Sequence, residues 1–218
     1  MRLSHSYSSI KMFENCPLNY YRQRIKKEIK DEGGEASIYG ERIHAFLEAR
    51  LKGSGLDPEA AQYEPLCKSV EKLASQGELH IEKEATLTEN LTPTTWWAPD
   101  AWLRSKLDVL VIIGPDAVVM DWKTGKRKAD QFQMQLFAAQ VFKHYPEVQR
   151  VKTSLVWLKT MEMDTHQYTR LDMNEVWGEI MRRIQRIHDA YEHGNWPARP
   201  SGLCRYCPCR HDCDFARI

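Results

Sequence analysis

The residues best suited to chemistry in this sequence are two aspartates and a lysine in one short stretch. Asp108 lies within an apolar run that starts at Leu107, while Asp121 and Lys123 lie at the end of a second run. Charge inside strands that are buried on both faces is costly unless it is paired or bound to a metal. Two carboxylates can hold a divalent cation that activates water, and a lysine can stabilise the charge on a phosphate. The pattern indicates phosphodiester hydrolysis, with a structural Asp–Lys pair as the alternative.

A β-hairpin is needed to bring these three residues together. Gly114-Pro115-Asp116 is a turn-forming sequence between two runs that are rich in β-branched residues. Side chains two residues apart on a strand point to the same face, which applies to Asp121 and Lys123. Folding at the turn brings Asp108 opposite one of them, so either register places all three charges on one patch.

Hydrophobic periodicity predicts the elements around this hairpin. Helices are expected to begin near Ser6, Leu18, Tyr39, Glu59, Asp130 and Asn174, and strands are expected over Leu79 to Leu87 and Val151 to Leu158. Strands that alternate with helices are typical of an α/β fold. Residues 31–37 and 90–102 are predicted to be connecting segments.

Asp108, followed by Asp121-x-Lys123 on the next strand, resembles the active site of the PD-(D/E)xK nucleases, and in particular their RecB-like exonuclease branch. Asp121 stands where many members have Glu, and Leu107 stands where others have Pro. The resemblance implies a restriction-endonuclease-like core, in which helices flank a central mixed sheet. It also implies a deoxyribonuclease that depends on Mg²⁺ or Mn²⁺.

The same resemblance assigns a metal site. Gly40 and His44 have the spacing of the family's helix that supplies a metal-binding histidine, although a lone histidine beside an apolar stripe is more often structural. His44 would join Asp108 and Asp121 in holding the metal. The backbone carbonyl of Trp122 would be a further ligand.

Three polar residues outside the hairpin are weaker assignments from the resemblance. Glu84 is the candidate acidic residue on the strand before the hairpin, although a strand glutamate more often faces outward. On the helix after the hairpin, a Gln-Leu pair favours Gln135 as the glutamine that holds the catalytic lysine or DNA. Gln133 is the alternative.

Four of the six cysteines lie close together near the end of the sequence: Cys204, Cys207, Cys209 and Cys213. The sequence lacks a signal-peptide core, so we expect a reducing cytoplasmic setting, in which clustered thiols indicate a metal. From spacing alone, a structural zinc site is the default, with His211 as an extra candidate ligand.

A lone Cys16-Pro17 near the N-terminus changes that expectation. Together with the C-terminal cysteines, it resembles the iron–sulfur RecB-like nucleases, including CRISPR-adaptation and AddB-type nuclease domains. The resemblance implies a 4Fe–4S cluster held by Cys16, Cys204, Cys207 and Cys213, with zinc as the alternative. Cys209 would be a surplus thiol. The cluster would staple residues 1–30 to residues 200–218 within a single nuclease domain over residues 1–218.

Composition says little about partners, because the net charge is only +1. Arg127 and Lys128 after the hairpin are weak candidates for contacting DNA. Trp97 is another, since an exposed ring can stack on unpaired bases. No run of residues suits a membrane span, and no Gly-rich phosphate loop indicates ATP.

These features together predict a metal-dependent exonuclease that hydrolyses linear or single-stranded DNA. The alternative is a DNA-binding or adaptation subunit of a larger complex, with a structural metal cluster and weak or no nuclease activity. A protein partner or a homo-oligomer is compatible with either hypothesis.

Overall fold

The computed structural model describes residues 3–55, 57–128 and 130–216, which form two compact units. The first unit contains Gly34–Trp177 together with the first residues of the chain. The second unit contains His5–Gly33 and Gly178–Ile218, so it combines segments from near both ends of the sequence.

The first unit is built on a mixed sheet of six strands among the described residues, in the order β2-β1-β3-β4-β5-β6. The strands are β1 (Glu78–Leu87), β2 (Pro93–Thr94), β3 (Leu103–Ile113), β4 (Asp116–Lys123), β5 (Arg150–Trp157) and β6 (Glu162–Thr169). Only the β4–β5 pair is parallel. The predicted α/β core with a central mixed sheet is therefore confirmed.

The predicted hairpin is formed by β3 and β4. Ile113 pairs with Asp116, and Val109 pairs with Met120, so Asp108 and Asp121 are the next residues on the two strands. Gly114 begins the turn with a φ of 54°, in the left-handed region that favours glycine. The turn chemistry therefore fixes the register that brings the two aspartates together.

Six α-helices among the described residues complete the two units: α1 (Tyr7–Asn15), α2 (Pro17–Tyr20), α3 (Glu35–Leu51), α4 (Glu64–Ala74), α5 (Gln131–His144) and α6 (Met173–Glu192). In the first unit, α3 and α4 bury Ile43, Leu47 and Val70 in one core cluster with Val109 and Val111 of β3. Side chains alternate along a strand, so Asp108 points to the opposite face of β3. Helix α5 supplies buried side chains to the first unit, including Leu136 and Ala139.

The second unit is organised around Trp196. The Tyr20 and Tyr21 rings stack on it at 6.0 and 5.1 Å between centroids, and Phe13 meets it edge-on. Helix α1 begins as predicted, because the Ser6 side chain accepts a hydrogen bond from the Ser9 backbone in a capping box.

The prediction of the helices and strands needs three corrections. Helix α3 begins at Glu35, inside the expected connection and before the expected start at Tyr39. The helix expected from Glu59 is split into a 3₁₀ segment, Pro58–Tyr63, and α4. Strand β6 was not predicted, because most of its side chains are exposed and its sequence carries little apolar alternation.

Among the described residues, no helix combines the length and the apolar character that crossing a membrane requires.

Candidate active site

Three side chains from different elements converge near the open end of the hairpin. His44 of α3, Glu82 of β1 and Asp108 of β3 each offer a ligand atom, and these atoms lie within 4.8 Å of one another. One nitrogen and two carboxylate oxygens suit a divalent cation such as Mg²⁺ or Mn²⁺. The donor set therefore fits the metal that the sequence predicts, although it contains Glu82, which the sequence did not single out.

Asp108 is held in place by the neighbouring strand. Its Oδ2 accepts a hydrogen bond of 2.7 Å from the backbone N–H of Trp122, and the residue is buried. Its Oδ1 lies 3.3 Å from Nδ1 of His44. One carboxylate oxygen is thus fixed by the hairpin, while the other faces the cluster.

His44 has acceptors at both ring nitrogens. Besides Asp108 at Nδ1, its Nε2 lies 3.0 Å from the carbonyl oxygen of Trp122. Burial lowers the pKa of His44, but Asp108, Asp121 and that carbonyl together outweigh it and raise the pKa overall. A metal that binds His44 would compete with a proton for the imidazole. The Trp122 carbonyl, predicted as a ligand, here lies against the imidazole.

Asp121 lies next to this cluster and is buried. Burial raises its pKa to about 6, against the opposing effect of the Lys123 ammonium, which lies 2.5 Å from Oδ2. Oδ1 accepts a hydrogen bond of 3.2 Å from Nε2 of Gln133. Oδ2 is occupied by the Lys123 ammonium, so the two oxygens of this buried carboxylate have different partners.

Glu82 is held in an unusual backbone conformation. Its φ is 55°, in the left-handed region that a non-glycine residue inside a strand rarely adopts. Its carboxylate forms an ion pair with Lys106, and its side chain is 11% exposed. Backbone strain of this kind concentrates at functional sites, which supports a role for Glu82.

Two predicted site residues do not reach this cluster. Glu84 is exposed on β1, and Glu82 is the acidic residue of that strand that joins His44 and Asp108. On α5, Gln133 is buried and bonded to Asp121, whereas Gln135 is only half-buried. Residues two apart on a helix do not share a face, so the structure favours the alternative, Gln133, over Gln135.

The weak DNA-contact candidates have different surroundings. Arg127 is already engaged, since it forms ion pairs with Asp164 and Glu162 of β6. Lys128 is exposed, and Trp97 has 84% of its surface exposed. Arg127 is thus better placed to fix the segment after the hairpin than to contact DNA.

In the second unit, the predicted cluster cysteines line one cavity of about 420 Å³: Cys16, Cys204, Cys207 and Cys213, together with Cys209. Two of the sulfurs accept backbone hydrogen bonds, Cys16 from Arg199 and Cys204 from Ser201. Segments from near both ends of the sequence therefore bring their thiols to one space.

The two candidate metals require different spacings of the sulfurs that bind them. Four thiolates on a single zinc lie about 3.8 Å apart, given Zn–S bonds of about 2.3 Å. Within the described ranges, no three cysteine sulfurs lie within 4.8 Å of one another. In a 4Fe–4S cluster each thiolate binds a different iron, so the thiolates surround a larger body.

The surplus thiol, Cys209, is unlike the other four. It is buried, and its S–H donates a hydrogen bond of 3.1 Å to Oδ1 of Asn19. Burial raises its pKa to about 12, and the thiol form is a poor metal ligand. His211, the extra zinc candidate, accepts a hydrogen bond from Arg210.

One protein family matches this chain. The model of the PD-(D/E)XK nuclease superfamily matches residues 4–214. No curated protein matches the chain.

Two solved structures are similar to this chain, and the first of them supports the fold. The crystal structure of the "Putative exonuclease" from Eubacterium rectale is similar with a TM-score of 0.59 and 14% identity, over 99% of this chain and 90% of that one. The structure of SSO0001 has a TM-score of 0.46 and 12% identity, over 100% of this chain and 89% of that one.

Proposed function

We propose that this chain, which belongs to the PD-(D/E)XK nuclease superfamily, is a metal-dependent exonuclease of the RecB-like type that acts on linear or single-stranded DNA. The observation that carries the proposal is the convergence of His44, Glu82 and Asp108 beside the Asp121–Lys123 pair. A structural Asp–Lys pair alone would not need three further metal-ligating side chains at the same place.

The metal would be held by His44, Glu82 and Asp108, with the Asp121–Lys123 pair beside them. When bound, Mg²⁺ or Mn²⁺ supplies a water of lowered pKa and polarises a phosphate oxygen. The buried hairpin end restricts this chemistry to a site whose polar groups are already oriented.

The remaining residues of the site would orient the reacting groups and balance their charge. Lys123 provides an ammonium for the developing charge on the phosphate and for positioning the attacking water. Gln133 donates a hydrogen bond to Oδ1 of Asp121, while Oδ2 of Asp121 pairs with Lys123. We therefore assign to Gln133 the orientation of Asp121, in place of the contact to Lys123 or DNA that was predicted for Gln135.

The test is cleavage of DNA that is labelled at one end, linear against circular, with Mg²⁺ or Mn²⁺. We expect wild type to degrade the linear form and Asp108→Asn to lose the activity, with the choice of label reporting polarity. If wild type binds DNA but leaves it intact, the protein is instead a binding or adaptation subunit.

We further propose that the second unit holds a 4Fe–4S cluster on Cys16, Cys204, Cys207 and Cys213. Support comes from the cavity that these four cysteines share and from the separate hydrogen bond of Cys209 to Asn19. The cluster would be chiefly structural and would join the two chain segments of that unit, in a reducing cytoplasmic setting.

Iron and sulfide analysis of anaerobically purified protein tests the cluster. We expect about four irons per chain and a broad visible absorbance, both lost in Cys207→Ala and retained in Cys209→Ala. Zinc in place of iron in the wild-type protein would contradict the assignment.

A further inference from the structure

A groove of about 770 Å³ opens beside the candidate active site, along the edge of β1. Its wall includes Glu82 of the active site, Lys83 and the ring of Trp96. Strand β1 pairs with β2 only at its C-terminal end, so in the described part of the chain residues 78–84 have no partner strand on that side. The groove therefore leads from the metal-ligand cluster to an open strand edge.

Trp96 forms an ordered aromatic surface in this groove. It is half-buried, and the guanidinium carbon of Arg104 lies 5.8 Å from the centroid of its ring. A cation packed over an indole stabilises the position of the ring. An indole held in this way provides a stacking surface for a base before any ligand arrives, which lowers the cost of ordering on binding.

Two cations lie in or next to the groove: Lys83 lines it, and Arg104 is packed over the ring of Trp96. Neither Arg104 nor Lys83 forms an ion pair with any residue that the structure describes. The Nε of Arg104 is buried and makes no hydrogen bond within the described ranges. Arg104 and Lys83 are both half-buried, and the positive charge that they place next to the Trp96 ring suits an anionic ligand.

Two carboxylates and two histidines also line the groove. Glu82 is paired with Lys106, and Glu84 is exposed. His80 and His144 also line the groove, and burial lowers the pKa of each, so both are neutral at pH 7. Unpaired positive charge beside an aromatic ring suits a nucleotide, which combines a phosphate with a base.

We propose that this groove binds an unpaired DNA strand, with one base stacked on Trp96 and neighbouring phosphates on Arg104 and Lys83. The inference rests on the proposed nuclease function and specifies the substrate form that reaches the metal site. A base inside a duplex is stacked on both sides, whereas every base of an unpaired strand can turn a face to Trp96.

Binding of a fluorescent oligothymidylate in EDTA, followed by anisotropy, tests the stacking surface without cleavage. Trp96→Ala is expected to weaken binding about 5- to 150-fold, the range for loss of one base stack, while Trp96→Phe retains most of the affinity. The matched control is Trp177→Ala, because Trp177 is also half-buried, lies 5.9 Å from the Lys143 ammonium and does not line the groove. We expect its affinity to stay within about twofold of wild type.

The salt dependence of the same binding tests the two cations. Arg104→Gln and Lys83→Gln should each reduce the slope of log K against log salt by about 0.7, as expected for one phosphate contact on a single strand. A merely structural role would lower affinity without changing the slope. Lys83 is only half-buried, so its variant keeps the test decisive if Arg104→Gln fails to fold.

The outcomes separate this inference from the proposed function. If Trp96→Ala binds the oligonucleotide as wild type does, the groove assignment is wrong, even if wild type cleaves DNA when Mn²⁺ is added. If binding depends on Trp96 but Mn²⁺ brings no cleavage, the groove assignment stands and the nuclease function fails. A dependence on Trp96 that appears only with blunt duplex, or only with RNA, also overturns the assignment.

Discussion

At the scale of single residues, the sequence locates the centre of the site but not its periphery. Asp108, Asp121 and Lys123 could be identified because charge in a buried hairpin needs an explanation. Glu82 and Glu84 share a face of a strand, and the one that meets Asp108 depends on the β1–β3 register, which local sequence does not encode. Which of the two α5 glutamines faces Asp121 depends on the rotation of the helix about its axis, and tertiary packing sets that rotation.

Replacement of the two glutamines on α5 tests this reassignment. Gln133→Ala should lower metal affinity or activity about 10- to 100-fold, because residues that hold metal ligands typically have effects of that size. Gln135→Ala should have a much smaller effect, since Gln135 is half-buried and Gln133 is the glutamine bonded to Asp121. Steady-state cleavage rates across a Mn²⁺ titration measure both. A larger effect at Gln135 would contradict the assignment.

Another residue-scale prediction concerns His5 in the second unit. His5 is buried, and its Nε2 lies 3.0 Å from Nε2 of His188. Burial, aided by the charges of His188 and Arg24, lowers its pKa to about 3. Between pH 6.5 and 3, His5 is therefore protonated in the unfolded chain but neutral in the folded state. The free energy of unfolding should fall as pH falls, with a slope that approaches about 1.4 kcal/mol per pH unit.

Urea unfolding of wild type and His5→Gln at pH 7 and pH 5 measures this contribution. The stability of wild type should fall more than that of the variant between these two values, since other titrating groups are common to both proteins. Equal losses would show that His5 is protonated in the folded state.

At the scale of elements, the hairpin was predictable because its turn and both apolar runs are local signals. The position of α3 was not, because it depends on a close approach between distant parts of the chain. A Cβ added at Gly40 would lie 3.0 Å from Oγ1 of Thr124, the residue that follows β4. The small residue one turn before His44 therefore lets the helix approach the end of the hairpin.

Gly40→Ala tests this approach. Alanine is favoured over glycine within a helix by about 1 kcal/mol, which offsets the crowding, so stability should change by less than about 1 kcal/mol. Activity should fall severalfold, because a small shift of α3 moves His44 relative to Asp108. Thr124→Ala removes the crowding atom, so Gly40→Ala/Thr124→Ala should recover activity relative to Gly40→Ala alone. Additive losses in this double-mutant cycle would contradict the mechanism.

At the scale of the whole molecule, the superfamily and its mixed sheet followed from a few motifs that span most of the chain. The second unit brings together segments far apart in the sequence, and its cysteines share one cavity. The sequence suggested this association only through resemblance, because spacing within the C-terminal box fits zinc equally well. Whether the shared cavity holds zinc or the larger cluster is decided by metal analysis of the purified protein.

The central claim is that the hairpin end is a hydrolytic site, and Lys123 tests it most directly. Cleavage of labelled linear DNA in Mn²⁺ should be compared for wild type, Lys123→Ala and Lys152→Ala, an exposed lysine on β5. We expect wild type and Lys152→Ala to cleave at similar rates. Lys123→Ala should lose at least about 100-fold in rate while still binding DNA, because it lacks a preorganised charge at the reacting phosphate. Cleavage by Lys123→Ala at the wild-type rate would contradict the account.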